Sequence, residues 1–548
     1  MSAKSRKESL EKSGLRDLAH RIEKLTEVGI ALSSERDTER LLEQILLGAK
    51  AITNADGGAL YSVQDDRTVR MEIIRTDSLN FAMGGTTGEH IPFPAIPLYA
   101  ADGAPNHHNV VTQAVLNDRT INIPDAYCAE GFDFTGTREF DKQTGYRSTS
   151  FLTVPMKNHE GDIIGVLQLL NAQDESSGEI IPFSPESQRL AEALASQAAI
   201  TLTNRRLIDD MKNLFESLIQ LIANAIDEKS PYTGGHCRRV PVITMLLAEA
   251  AHLTTEGPLK DFSLTDQGRY ELEIAAWLHD CGKIVTPEHV VDKATKLETV
   301  HDRINLVDAR YEILRRDAEL WWLRRRLEAL ENGTPPEAGL HQEYQTTLRS
   351  LADEQAFLRH VNQGVEYMPA EQQARVEAIA MRTWVDGKGE VQPLLTEDEV
   401  RNLNISKGTL NPEECEVVHN HVLATISMLE RLPFPKHLKN VAEYAGGHHE
   451  RMDGMGYAKG LTRDQMSVQA RIMAIADIFE ALTAKDRPYK VGKKLSESLR
   501  ILSFMKREGH IDPDLFDIFV GQKVYEEYAA QYLTPEQIDE VDSASLLK

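Results

Sequence analysis

Cysteine is scarce in this chain. Four occur in 548 residues, Cys128, Cys237, Cys281 and Cys415, and no two stand at a paired spacing, which excludes a disulfide-stapled fold. Long apolar runs are also missing, since none approaches the roughly 20 residues that a membrane-spanning helix needs. The opening stretch MSAKSRKESLEKSG lacks the apolar core of a signal peptide, so a cytoplasmic protein with no membrane span is expected. Positive charge is in deficit, with 61 Lys and Arg against 85 Asp and Glu and a formal net charge of −24. That balance disfavours nucleic acid and anionic lipid as partners, and an anionic ligand would need locally concentrated positive charge. The length predicts roughly two to four domains.

What the chain does have is a set of histidines and aspartates in its second half: His236, the pair His279 and Asp280, His421 with His419 just before it, the pair His448 and His449, and Asp477. The segment AAWLHDCGKI is apolar and helical until it offers an imidazole and a carboxylate side by side. On a helix adjacent residues diverge by about 100°, so Asp280 can bridge two ions while His279 binds one of them. Lys283 follows one turn later on the same face, within reach of a ligand phosphate. A lone His-Asp pair is commonly a core histidine satisfied by its neighbour; the whole set is what argues for metal.

Five segments occur in order: DEKSPYTGGHCRRV at 227–240, LHDCGKI at 278–284, KGTLNPEECEVVHNH at 407–421, GHHERMDGMGYAKGL at 447–461 and ADIFEALTAKDRPY at 476–489. Together they resemble the HD-GYP family, a branch of the HD metal-dependent phosphohydrolases. The resemblance implies an all-helical domain that hydrolyses cyclic di-GMP to linear pGpG or GMP at a centre of two or three divalent metals. Carried over by position, the metal ligands are His236, His279, Asp280, His421, His448, His449 and Asp477. Asp280 and Lys283 are the catalytic candidates, and Lys283, Arg451, Tyr457 and Arg487 the substrate-binding ones; His419 is read as a neighbour.

The chemistry fits those residue types. Two ions about 3.5–4 Å apart lower the pKa of a shared water and neutralise charge on the attacking and leaving oxygens of a phosphodiester, with no Ser or Cys nucleophile required. Nitrogen ligands with a bridging carboxylate suit iron or manganese better than calcium. Three departures from the family pattern stand out. Ala458 replaces the motif proline after Gly456 and Tyr457, and Tyr232 occupies the position of an extra carboxylate ligand, which favours two metals over three. The third is an insertion: the pattern begun at Lys296 and Leu297 resumes only at Leu410. Alternative readings are a non-catalytic module that binds cyclic di-GMP or a protein partner, and an HD hydrolase of another cyclic dinucleotide.

Within the insertion, residues 308–331 carry apolar groups near a helical period, Asn332 to Pro336 signal a turn, and a second helical run extends to Val361. A helical hairpin is expected, with Arg315, Arg316 and Arg324 to Arg326 paired to interleaved acids rather than forming a nucleic-acid patch. In the first half, residues 15 to about 51 read as helix, GALYSV and VRMEIIRT as strands, and SFLTVPM with DIIGVLQLLNA as a hairpin. This half resembles a GAF sensor domain. FDKQTGYRSTSFLTVPM is similar to GAF domains of cyclic-nucleotide phosphodiesterases, although of their signature only Asn171 and Phe183 survive, with Ala172, Ser187 and Gln188 at the other positions. A cyclic nucleotide or another small ligand is the implied partner, and a purely structural dimerisation module is the alternative. From Pro185 to about Ile226 apolar residues recur every three or four positions, the pattern either of a helix that a homodimer would pair as a parallel coiled coil or of a single surface helix packed against its own domain. The expected fold is multidomain: a flexible segment 1–14, an α+β GAF domain 15–205 with an antiparallel sheet and flanking helices, a linking helix 186–226, and an all-α domain 215–530 with a helical hairpin in the insertion 298–405.

Overall fold

The computed structural model describes residues 20–35, 37–229, 235–335, 339–364, 367–485 and 492–547. The expectations for residues 1–14, Tyr232 and Arg487 lie outside these. The chain divides into two compact units, residues 1–214 and 215–548.

In the first unit, α1 (residues 20–34) and α2 (Thr38–Thr53) replace the single helix expected over 15–51. The break has a local cause. Asp37 adopts an extended conformation and its carboxylate accepts from the Arg40 N–H, so it caps α2 instead of continuing α1. Eight strands follow: β1 (Ala55–Val63), β2 (Thr68–Thr76), β3 (Phe81–Gly84), β4 (Ile96–Pro97), β5 (Ile121–Ile123), β6 (Phe151–Lys157), β7 (Ile163–Gln173) and β8 (Ile180–Ile181). They form one antiparallel sheet in the order β3-β2-β1-β7-β6-β5, with β4 beside β2 and β8 beside β7. The β6–β7 hairpin turns at Asn158–Asp162, where Gly161 takes φ 94°. Helices α3 (Val110–Leu116) and α4 (Thr135–Thr144) lie between β4 and β6 in sequence. One core joins Leu41, Ile45 and Ile52 of α2 to Leu167 and Leu169 of β7 and to Leu190, Leu194 and Ala198 of α5 (Pro185–Lys229).

Asn171 is fully buried at φ 52°; its Oδ1 accepts from the Thr149 and Ser150 N–H groups, and its Nδ2 donates to the Arg147 carbonyl. The side chain that carries the cyclic-nucleotide signature is thus engaged in tying residues 147–150 to β7.

The second unit is helical. It opens with the end of α5 and with α6 (His236–His252), α7 (Asp266–Leu278), a tight 3-10 turn at Cys281–Val285 and α8 (Glu288–Val291). The inserted segment holds the expected hairpin, α9 (Ile304–Glu331) and α10 (Leu340–Asn362), and continues into α11 (Ala370–Ala380), a β9–β10 hairpin (Thr383–Val385 with Val391–Pro393) and α12 (Glu397–Leu403). These elements bury a core of their own, from Leu297, Val307 and Tyr311 to Leu358, Val376, Leu394 and Leu403. Trp322 stacks on Tyr344 of α10 at 5.1 Å, and Arg315 and Arg316 both pair with Glu312.

Two lysines close the base of the insertion. Lys296, fully buried, donates to the Leu403 and Ile405 carbonyls, while Lys293 pairs with Glu414 at 2.7 Å. The family-like pattern interrupted in sequence at Lys296 is therefore rejoined in space at its two ends. Helices α13 (Pro412–Glu430), α14 (Val441–Gly446), α15 (Val468–Thr483), α16 (Leu495–Arg507), α17 (Pro513–Gly521), α18 (Val524–Tyr532) and α19 (Ser543–Leu546) complete the unit. Its main core packs α6, α7, α14 and α15 against α16 to α18 and includes Cys237 and Cys281, both buried. Among the described residues no helix is long and apolar enough to cross a membrane.

Candidate metal centre

Four of the five histidines reach the centre from a helix end or the residues just beyond one, and His421 comes from the middle of a helix. His236 is the first residue of α6, whose start is set by Gly235 at φ 88° and by the Asp227 carboxylate, which accepts from the Gly235 and Cys237 N–H groups. His279 and Asp280 lie where α7 gives way to the 3-10 turn, and that turn ends on Lys229, whose ammonium donates to the Lys283, Ile284 and Thr286 carbonyls. His421 comes from α13, His448 and His449 from just beyond α14, and Asp477 from α15.

The structure brings these seven side chains together, all but His449 in the buried class. His236 Nε2 lies 3.1 Å from Asp477 Oδ1, 3.3 Å from Asp280 Oδ2 and 3.3 Å from His279 Nε2. The other oxygen of Asp280 faces a second group, 3.3 Å from His421 Nε2 and 3.9 Å from His448 Nε2. Ligand atoms of His236, His279 and Asp477 lie within 4.8 Å of one another, as do those of His421, His448 and His449. Asp280 therefore stands between an N2O cluster and an N3 cluster and turns one oxygen to each.

Protonation suits cation binding. His279, His421 and His448 donate from Nδ1 to the Ala276, Val418 and Ala445 carbonyls, which leaves each Nε2 lone pair aimed inward. Burial, together with neighbouring imidazoles, pushes His448 well below the usual histidine range, and burial carries His449 down to about 3. Burial opposes charge on Asp280, but Lys283 at 2.6 Å and His279 outweigh it and hold the carboxyl well below its ordinary value. Asp280 Oδ1, His421 Nε2 and His448 Nε2 are buried without a hydrogen-bond partner, although a buried acceptor left unmatched costs about 1–3 kcal/mol. A divalent cation fits this donor set: imidazole nitrogens and carboxylate oxygens converge from several elements, and three of them have no hydrogen-bond partner.

Tyr457 lies over the second cluster, its ring 4.7 Å from that of His449 and 3.9 Å from that of His419. Arg451 binds Asp453 through two nitrogens and reaches the Glu508 carbonyl at the end of α16. The loop that carries Arg451 is ordered by Glu450, a buried carboxylate that accepts from the Lys459 and Leu461 N–H groups. Gly456 passes so close that a Cβ there would stand 2.5 Å from Glu450 Cα. Ala458, at the position of the motif proline, takes φ 124°, which a pyrrolidine ring fixed near −65° cannot adopt. The loop is thus held by the Glu450 carboxylate and not by a proline ring at position 458. Ala458→Gly should raise the melting temperature, since relief of about 1–3 kcal/mol of backbone strain exceeds the roughly 0.4–1 kcal/mol of added unfolded-state freedom. Ala458→Pro should lower it, and equal melting curves for the two variants would contradict this geometry.

Sequence reasoning did not single out Glu480, Asp227, Thr425, Lys229 or Glu450. Only Glu480 had a usable signal, as an acid one helical turn beyond Asp477.

Comparisons with known proteins agree with this architecture. Residues 397–515 match the model of the HD domain and residues 37–202 that of the GAF domain. The HD match takes in His421, His448, His449 and Asp477 and begins after His236, His279 and Asp280, which the fold nevertheless places in the same centre. The 3'3'-cGAMP-specific phosphodiesterase 1 of Vibrio cholerae is 42% identical over 88 residues, 16% of this chain and 20% of the relative. A cyclic di-GMP phosphodiesterase of Pseudomonas aeruginosa is 45% identical over 73 residues, 13% and 17% of the two chains, and one of Thermotoga maritima is 34% identical over 116 residues, 21% and 31%. The chain thus spans less than a third of the length of each of these relatives. With both domain models matched and the histidine and aspartate clusters assembled, this chain carries an HD domain at residues 397–515 and a GAF domain at residues 37–202.

Proposed function

We propose that the chain is a metal-dependent phosphodiesterase that opens cyclic di-GMP to linear pGpG, and onward to GMP, under control of its GAF domain. The observation that carries this reading is Asp280, whose two oxygens face two separate histidine clusters. His236, His279, Asp280 and Asp477 would hold one divalent ion, and Asp280, His421, His448 and His449 a second, iron or manganese. Bound there, the ions supply an activated water and neutralise charge on the attacking and leaving oxygens. Lys283, held on Asp280 and still partly exposed, places an ammonium where a substrate phosphate would enter. Tyr457 offers a ring face beside the second cluster for a guanine base. A cytoplasmic site of action follows from a second-messenger substrate.

A second reading, hydrolysis of 3'3'-cGAMP, is favoured by the relatives named for that activity. Anaerobic turnover of both dinucleotides, with metal content measured in the same sample and Fe(II) or Mn(II) resupplied, separates the two. Metal-dependent release of linear dinucleotide supports the enzyme; no turnover of either with two ions bound leaves a binding module.

A second copy of this chain is the proposed partner of α5. Ile200, Leu207, Met211 and Leu214 are 41–70% exposed, and with Asn204 among them they alternate by four and three positions. Leu218 and Leu221 continue the spacing. Such a seam is closed by the same seam of a parallel helix, and a lone Asn at an a position fixes register and favours two strands. Replacing Met211 and Leu214 together by Glu should convert a dimer to a monomer in sedimentation velocity while the GAF unit stays folded; a monomeric wild-type chain would refute the pairing.

A further inference from the structure

Three histidines of the centre fix their rings through the backbone, each on a carbonyl three residues back along its own chain. His236 opens α6 and turns its Nδ1 instead to Glu480 Oε2, 2.5 Å away. Glu480 is 1% exposed, lies one turn beyond Asp477 on α15, and its other oxygen accepts from Arg239 Nε at 2.6 Å. The arrangement is therefore asymmetric. One cluster is backed by a buried, charged carboxylate–arginine pair, whereas in the other His421 and His448 are backed by neutral peptide carbonyls.

Resting on the two-metal reading above, we propose that Glu480 is a positioning residue for His236 and makes the His236–Asp477 side the tighter of the two metal positions. A carboxylate at Nδ1–H fixes the tautomer and ring orientation and raises the basicity of Nε2 more than a neutral carbonyl does. The donor sets differ in the same sense. His236, His279, Asp280 and Asp477 offer two imidazoles and two carboxylates, whereas Asp280, His421, His448 and His449 offer three imidazoles and one carboxylate. The first set carries more negative charge toward a cation.

The test is titration of Mn(II) into the metal-stripped full-length chain, followed by calorimetry and by electron paramagnetic resonance, which distinguishes a coupled ion pair from isolated ions. The wild-type chain should show two affinity classes. In Glu480→Gln the tighter class should weaken by about 10–100-fold while the weaker class is unchanged. Glu480→Asp, which keeps the charge and withdraws it by one methylene, should fall between the two. It decides the matter if the Gln variant fails to fold by circular dichroism. A folded Glu480→Gln with both classes at wild-type affinity, or with the loss on the weaker class, overturns the positioning role. A wild-type chain that takes up one ion or none overturns the two-metal reading itself, a different result.

Discussion

Asp280→Ala should abolish uptake of both metals and lower turnover by at least on the order of 10²–10³-fold, the loss seen when one group stabilising transition-state charge is removed. No other residue of the centre should do this alone, because only Asp280 turns an oxygen to each cluster: Oδ2 stands 3.3 Å from both His236 and His279, and Oδ1 stands 3.3 Å from His421. Removing it takes a negative charge from between two cations and leaves Lys283, its partner at 2.6 Å, as a further positive charge in the same space. His421→Ala is the informative contrast. It removes one neutral ligand from one cluster, so a single metal should remain. Metal analysis by mass spectrometry on both variants, with turnover in the same samples, checks the ordering. Asp280→Ala with two ions still bound would sink the bridging assignment.

How much of this was legible beforehand differs from element to element. Adjacent pairs such as His279–Asp280 and His448–His449 announce themselves, because consecutive residues lie about 3.8 Å apart at Cα whatever the tertiary structure. The division into two clusters is different in kind. It depends on α13 packing against the 281–285 turn while α15 packs against α6, and no spacing in the chain encodes that. Glu480 was missed for a related reason: its partner His236 lies 244 residues away. In the first unit, apolar periodicity across residues 15–51 outweighed the capping signal at Asp37 and merged two helices into one. The insertion reads as a charged helical hairpin, but its core also draws on Leu394 and Leu395, which follow a strand of three residues too short to show alternation, and on Leu403 at the end of α12.

The second large effect concerns a residue that ligates nothing. Gly282 follows the His279–Asp280 pair, and a Cβ built on it would lie 1.9 Å from the His421 carbonyl oxygen and 2.5 Å from the Thr425 amide nitrogen. Both neighbours are backbone of α13, so no rotamer change can make room. The turn and the helix are also joined by the Gly282 N–H, which donates to Thr425 Oγ1 at 2.8 Å. Gly282→Ala must therefore push α13 off the turn. Overpacking of this kind costs about 1–3 kcal/mol or more, and the lost hydrogen bond adds roughly 1 kcal/mol. The consequence for chemistry exceeds that for stability, because the turn carries Asp280 and α13 carries His421. Moving one from the other opens the gap that the bridging carboxylate spans, and a misplacement of about 1 Å can cost on the order of 10²-fold in rate. Gly387→Ala is a suitable control, since a Cβ there meets nothing within 4 Å. Urea unfolding should show Gly282→Ala destabilised by about 2–4 kcal/mol and Gly387→Ala unchanged. Metal binding in Gly282→Ala should fall first at the His421 cluster, the side that has to move.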